Sequence, residues 1–339
     1  MKFDALQTVL AIIDGELWVW GSNSNGISGL GWNDIYFNII DNPTKVNNDF
    51  DNSGIKSVKC TKYRSYVLTN DGNIFACGLN NYHQIYDELI NCSLTKFYRI
   101  EHLENIFMID SNESFTLAIS LINKVYIWGY VFGKHHKYPI GLDMEYNYAH
   151  KIICRNIYRD GDEGIIWTDT GLWKIVCFYP KPIKINFEEL SSILDIACNS
   201  THIIILTKDD KIYLMADNED NFKLVNFEFP LIKPKIFAKN DVNDIVILHE
   251  NVTLGKMEII MINNFEIKVE PIDIDDRIIE VVQVTHGIFL LSNDKVYFKG
   301  KLTQGDNLRV YYEEHEFLSG KNLLDIPGKL FKNARSSCV

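Results

Sequence analysis

A strand–turn–strand unit that recurs seven times, an apolar strand that recurs between the units, and almost no helical periodicity predict an all-β chain folded as a seven-bladed β-propeller. The unit is clearest in SYVLTNDGNIFACG (65–78), HIIILTKDDKIYLMA (202–216) and HGIFLLSNDKVYFKG (286–300). Each is an apolar strand, a short turn carrying Asp with Gly, Asp or Asn, and a second strand of alternating character. Such turn residues tolerate positive φ and the flanking runs are β-branched or aromatic, which is hairpin chemistry.

In chain order, the first copy is TVLAIIDGELWVWG (8–21), the second lies at 65–78 and the third is TLAISLINKVYIWG (116–129). The fourth, GIIWTDTGLWKIVC (164–177), and the sixth, DIVILHENVTLGKMEIIM (244–261), keep the strand rhythm while losing glycines; the fifth and seventh lie at 202–216 and 286–300. Successive units end near Gly21, Gly78, Gly129, Cys177, Ala216, Met261 and Gly300, spaced by 39 to 57 residues. That spacing accommodates about four short strands and their loops, one propeller blade. Between units an apolar strand enters the next: GIKSVKC (54–60), LENIFMI (103–109), SILDIAC (192–198) and IIEVVQV (278–284). Pro43, Pro180, Pro182, Pro230 and Pro271 fall near these junctions, where a missing N–H is tolerated on an edge or turn. Residues 186–194 have room for one helical turn. NLLDIPG (322–328) matches SILDIAC, so the C-terminus is expected to supply the entering strand of the first hairpin. The ring would then be closed by pairing of N- and C-terminal strands, which removes sheet edges. Residues 1–328 read as a single propeller and 329–339 as a short basic tail carrying Lys329, Lys332 and Arg335.

A net charge of −11 repels phosphate backbones, so no nucleic-acid partner is expected and a basic protein patch suits the surface better. Seven scattered cysteines with no C-x-x-C pair indicate neither a zinc site nor a disulfide framework, and point to a reducing compartment. Asp4 and Asp14 bracket the first apolar stretch, which does not read as a secretion signal, and no run approaches the roughly 20 apolar residues of a membrane span. A cytoplasmic monomer is the expectation. Cys338 is followed by Val339 alone, whereas a prenylation box needs three residues after its cysteine; lipidation and membrane attachment are expected only if the chain continues. No Ser-His-Asp order, glycine-rich phosphate loop or paired-carboxylate spacing stands out. Hence no catalytic residue, cofactor or metal is expected.

WGSNSNGISGLG (20–31) resembles the W-G-x-N-x-x-G-Q-L-G-x-G signature of the regulator of chromosome condensation repeat. CGLNNYHQIYD (77–87) is similar, with Cys77 in the Trp place and His83 in a Gly place, and IACNSTHIIILTKDDKIYLMA (196–216) follows the pattern with Asn199 replacing Gly. Glycines there permit a tight loop, and Asn23 and Asn80 are suited to satisfying loop backbone groups. WD repeats need a recurring Gly-His and Trp-Asp pair, which this chain lacks. The resemblance implies a seven-bladed propeller and binding on one of its faces.

His202 and His286 occupy the repeat's His position, where the resemblance implies either a partner contact or a histidine that satisfies turn carbonyls inside its own blade. The other copies have Gln7, Arg64, Phe115, Glu163 and Asn243 there. The segment 130–150 leaves the repeat as a loop rich in rings and charge, with His135, His136, Tyr138, Asp143, Glu145 and Tyr146 as candidate partner-binding residues beside a plain solvated-loop reading. Adjacent His135 and His136 point to opposite sides of an extended chain and make a poor metal pair. The acidic runs DIDDR (273–277) and YYEEHEF (311–317) are either solvated loops or a dock for a basic partner.

By the resemblance, the expected function is engagement of a small GTPase, with guanine-nucleotide exchange of the kind this family performs on Ran. Exchange works by differential binding and needs no nucleophile. The alternative is a non-catalytic scaffold that binds another protein through loops of a propeller face. An Asn- and Ile-rich composition suggests an AT-rich genome, that of a protozoan parasite or of an intracellular bacterium. In the latter case the chain would resemble effectors that use these repeats in the host cytosol.

Overall fold

In the computed structural model, β-branched runs separated by Asn, Asp and Gly turns form seven antiparallel sheets of four strands each. The structure describes residues 2–5, 8–31, 39–47, 50, 53–85, 92–157, 161–217, 219–238, 244–251, 256–263, 266–284, 287–292, 295–300 and 309–314. Blade 1 comprises Lys2–Ala5, Thr8–Ile13, Glu16–Ser22 and Ile39–Lys45. Blades 2 to 7 span 55–99, 106–141, 149–185, 193–224, 235–271 and 280–314. The fold is therefore the seven-bladed propeller that the repeat count predicts. The only helical elements among the described residues are the 3-10 turns Ser24–Gly26 and Leu190–Ser192, the latter inside the stretch with room for one turn.

Within a blade, second strands such as Arg64–Thr69, Phe115–Ser120 and His202–Thr207 are buried at every position. Neighbouring blades cover both faces of a sheet, so alternation gives way to continuous apolar character. First strands of adjacent blades contact one another around most of the ring and line its axis. Ion pairs bridge them at Lys59–Asp110 (3.0 Å) and Lys151–Asp195 (2.7 Å). First strands end, and second strands begin, on what we term the upper face; third strands also end there and fourth strands begin. The second-to-third turns and the connections between blades lie on the lower face.

Ring closure differs from the sequence expectation. The strand pairing with Thr8–Ile13 on its inner side is Lys2–Ala5, running Lys2 opposite Ile12 to Ala5 opposite Val9. Blade 1 is thus complete within its own first 45 residues, and residues 322–327 lie outside the described residues. Lys2–Ala5 is short and carries two charged residues, so it lacks the apolar signature by which the other entering strands are found. Among the described residues, blades 1 and 7 meet by packing: Val9, Leu10, Ala11 and Trp20 share one apolar cluster with Val282, Phe289, Leu291 and Phe298. Full burial of each large apolar side chain contributes about 1.5–3 kcal/mol.

The expected loop at 130–150 is also different. Lys134–Gly141 is the outer strand of blade 3, residues 142–148 connect the blades, and Ala149–Arg155 is the first strand of blade 4. An outer strand pairs on one side only and faces water on the other, so KHHKYPIG needs no alternation and tolerates Pro139 where the register shifts. Pro43 sits likewise in the outer strand of blade 1.

Outer-strand length follows a glycine. Just before the pairs made by Gly21, Gly78 and Gly129 the outer strand bulges by two residues against the third, each glycine has φ between 94° and 107°, and a Cβ at Gly78 would lie 2.2 Å from the carbonyl oxygen of Tyr63. These three blades have outer strands of 7, 7 and 8 residues. Blades 4 and 5 carry Cys177 and Ala216 at the corresponding place, and their outer strands shrink to Ile183–Ile185 and Lys223–Leu224. Blade 6 regains a six-residue outer strand paired with the third strand in continuous register.

Candidate interaction face

The upper face is held by side chains that cross between blades. In blade 1 the Asn23 side-chain oxygen accepts the Ser28 N–H at 3.1 Å, and in blade 2 Asn80 accepts the Ile85 N–H at 3.0 Å, as the signature suggests. His83, in the Gly place, adopts the left-handed φ of 59° that makes glycine the usual occupant. The loops so fixed receive the next blade: the Ile27 carbonyl accepts Cys77 Sγ–H (3.3 Å) and Ser65 Oγ–H (2.6 Å), and the Gln84 carbonyl accepts the Trp128 indole N–H (2.9 Å). Cys77 therefore does what Trp128 does, one blade earlier. Burial pushes its thiol pKa well up, so it is a structural thiol.

Asn or Thr follows the first strand in blades 2 to 5, where the family pattern has a small residue. Thr61 Oγ1 accepts the Arg64 N–H, Asn112 accepts those of Ser114 and Phe115, and Asn199 accepts those of Thr201 and His202, all at 2.8–3.1 Å. These are Asx-type turns that present the next residue at the start of the second strand. At that position Arg64 is buried and donates across to blade 3, to the carbonyls of Asn112 (2.6 Å) and Glu113 (2.7 Å). Asn112 in turn donates to the Glu163 carbonyl of blade 4 (3.1 Å).

In blade 4 the same position is Glu163, and it joins Arg155, a residue that sequence reading passed over. Arg155 is 1% exposed; its Nη2 meets Glu163 Oε2 at 2.5 Å and its Nη1 reaches Asp217 of blade 5 at 2.8 Å. Lys174 stands 3.5 Å from the other Glu163 oxygen. Burial works against the guanidinium charge, but Glu163, Cys198 and Asp217 outweigh it and the Arg155 pKa is raised. The signal in the sequence is an arginine directly after the apolar run IIC (152–154).

His202 is buried beside this cluster, with Nδ1 2.8 Å from Thr201 Oγ1. This contact is to a neighbouring hydroxyl of its own turn. His286 lies outside the described residues. Burial, and then the charge of Arg155, lower the His202 pKa from 6.5. A base whose folded pKa is depressed adds stability that is complete above the unfolded value and is lost as pH falls through the folded one. Melting temperature is therefore expected to drop between pH 7.5 and 5.0, and His202→Gln to drop less. Equal losses in the two proteins would discount the histidine.

The exposed part of this face is aromatic. Tyr82 of blade 2, Tyr130 and His135 of blade 3, and Phe178 of blade 4 form a continuous ridge: Tyr82–Tyr130 5.7 Å, Tyr82–His135 5.5 Å, Tyr130–His135 5.1 Å and Tyr130–Phe178 6.0 Å between ring centroids. The turns carrying it are tied by the Gly133 N–H to the Cys177 carbonyl (2.9 Å). Phe178 and Tyr179 are 60% and 55% exposed. Lys134 and Lys181 flank the rings and are in no ion pair among the described residues, and Lys62 lies over the Tyr63 ring at the same edge.

The other candidates scatter. His136 points away from His135, toward Phe132, and Tyr138 packs against His102 at mid-strand. Asp143, Glu145 and Tyr146 belong to the lower-face connection, where the Tyr146 hydroxyl accepts the Val125 N–H. In the acidic run, Asp273 pairs with Lys256 and Asp276 with Tyr297 and Lys295, so these carboxylates have local partners.

Residues 55–84, from the first strand of blade 2 to its signature loop, match the family described as regulator of chromosome condensation (RCC1) repeat. Blade 2 thus carries a repeat of this family. It is 27% identical over 122 residues to the mitochondrial RCC1 domain-containing protein RUG3 of Arabidopsis thaliana, a match covering 34% of this chain and a quarter of that relative's length. Among solved structures it is similar to Prp20p of Saccharomyces cerevisiae, studied for its binding to Gsp1p and histones, with TM-score 0.70, 13% identity, and 96% and 88% of the two chains covered. Human WBSCR16 is similar with TM-score 0.66 and 15% identity over 86% and 88% of the chains. At such identities the likeness is one of fold. In the repeat's own terms, the aromatic ridge lies on the face where the second strands begin. No helix among the described residues is long and apolar enough to cross a membrane.

Proposed function

We propose that this propeller engages a small GTPase through its upper face and promotes release of the bound nucleotide. The observation that carries the reading is the ridge Tyr82, Tyr130, His135 and Phe178, with Tyr179 beside it, on a face fixed by inter-blade hydrogen bonds. Rings anchored on a rigid scaffold are what protein recognition uses, because they bury much area with few freedoms to lose. The flanking lysines suit an acidic surface on the partner. Support also comes from Prp20p, a structural relative that binds Gsp1p. Exchange follows if the face binds the nucleotide-free GTPase better than the loaded one, since a ligand shifts an equilibrium only by its differential affinity.

The test is release of a fluorescent guanine nucleotide from a panel of small GTPases. Acceleration of at least tenfold on one of them is the expected result. Tight binding without release would make the chain a scaffold, and neither binding nor release across the panel would overturn the proposal.

A further inference from the structure

The outer wall between blades 4 and 5 is open, and its opening has a cause in the fold. Where the other blades place outer strands of six to eight residues, these two have three and two. The space left is a cleft of about 660 Å³, within the range of ligand sites. Its floor is aromatic: Phe187 packs edge-on against Tyr213 and against Phe222, both at 5.3 Å. All three rings are half-buried.

Around the rings stand exposed polar groups. The carboxylates of Glu188 and Glu189 and the amides of Asn186 and Asn221 line the cleft, and none of these side chains makes a hydrogen bond or ion pair with the described residues. Two cations bear on the site: Lys184 lines it but lies over the Trp173 ring at 5.5 Å, and Lys211 feels the Glu189 charge but is paired with Asp209 at 2.6 Å. The cleft thus offers two carboxylates and two amide oxygens above an aromatic floor, on a chain of net charge −11. A planar cation meets all of these at once. A guanidinium stacks on rings while its fork of N–H donors meets carboxylates, which a compact ammonium does less well.

We propose that this cleft binds an arginine-bearing segment of a partner polypeptide. The site is separate from the upper-face ridge and independent of the GTPase reading. It is a lateral dock for an extended partner segment.

The test uses the full chain and a labelled glycine-rich pentapeptide carrying two arginines, titrated by fluorescence anisotropy in low salt. The comparison peptides replace arginine by lysine or by citrulline, which keeps the shape without the charge. Saturable binding of the arginine peptide is expected, at least tenfold tighter than the citrulline peptide and several-fold tighter than the lysine peptide. The double variant Glu188→Gln/Glu189→Gln should lose at least tenfold, whereas Glu101→Gln/Glu104→Gln, which removes two exposed carboxylates from the connection between blades 2 and 3, should lose little. Equal binding of arginine and citrulline peptides, equal losses in the two double variants, or no saturable binding at millimolar peptide would each overturn the proposal. Parity of arginine and lysine peptides would overturn the guanidinium assignment.

Discussion

Arg155→Met is expected to lower the stability of the folded chain by about 3–5 kcal/mol, the usual result of removing one partner from a buried ion pair. The size follows from what remains. Glu163 would keep only Lys174, at 3.5 Å, and would lose two hydrogen bonds while staying 3% exposed. Asp217 would lose its partner in the neighbouring blade, and the Asn199 carbonyl its donor at 3.3 Å. The cost is mainly that of an uncompensated buried carboxylate, so the double variant Arg155→Met/Glu163→Gln should be more stable than the sum of the two single losses implies. Denaturant unfolding of the three variants measures this. A loss under about 1 kcal/mol for Arg155→Met would show that water reaches the cluster and that it contributes little to holding blades 4 and 5 together.

The double variant Phe178→Ala/Tyr179→Ala should leave the melting temperature nearly unchanged and weaken binding of the responding GTPase by about 30- to 150-fold, the equivalent of about 2–3 kcal/mol for central aromatic anchors. Both rings are more than half exposed, so folding depends little on them. The matched control is Leu121→Ala/Ile122→Ala, which removes two side chains exposed by 65% and 78% from a lower-face turn of blade 3. If the control weakens binding and the ring variant does not, the partner sits on the other face.

Much of this architecture is legible in sequence because the repeat writes turn chemistry and strand rhythm together. Asn23, Asn80 and the positive-φ glycines beside the outer-strand bulges are readable as loop devices since only a few residue types perform those tasks. Lys134–Gly141 and Lys2–Ala5 are not, because an outer strand is half solvated and a short strand carries too few side chains to show a period. The interaction face is legible only in part. His135 stands out in a segment rich in rings, but Tyr82, Tyr130 and Phe178 lie far apart in the chain and become neighbours only when three blades are set side by side. His202 stands out for the opposite reason: its position belongs to the repeat pattern, and the structure shows it bonded within its own turn.

Because each sheet is built from four consecutive strands, with Lys2–Ala5 completing the first, no strand of blade 1 has to wait for a distant partner. The order of synthesis can then be the order of folding. Each blade reaches its full set of backbone hydrogen bonds as it leaves the ribosome and docks on the one before it, in the stepwise manner of nearest-neighbour repeats. The last event is the meeting of Phe289 and Phe298 with Val9 and Trp20, among the described residues a docking of side chains. A ring sealed in this way can breathe at its seam while every sheet stays whole, so the earliest hydrogen exchange is expected where blade 7 meets blade 1.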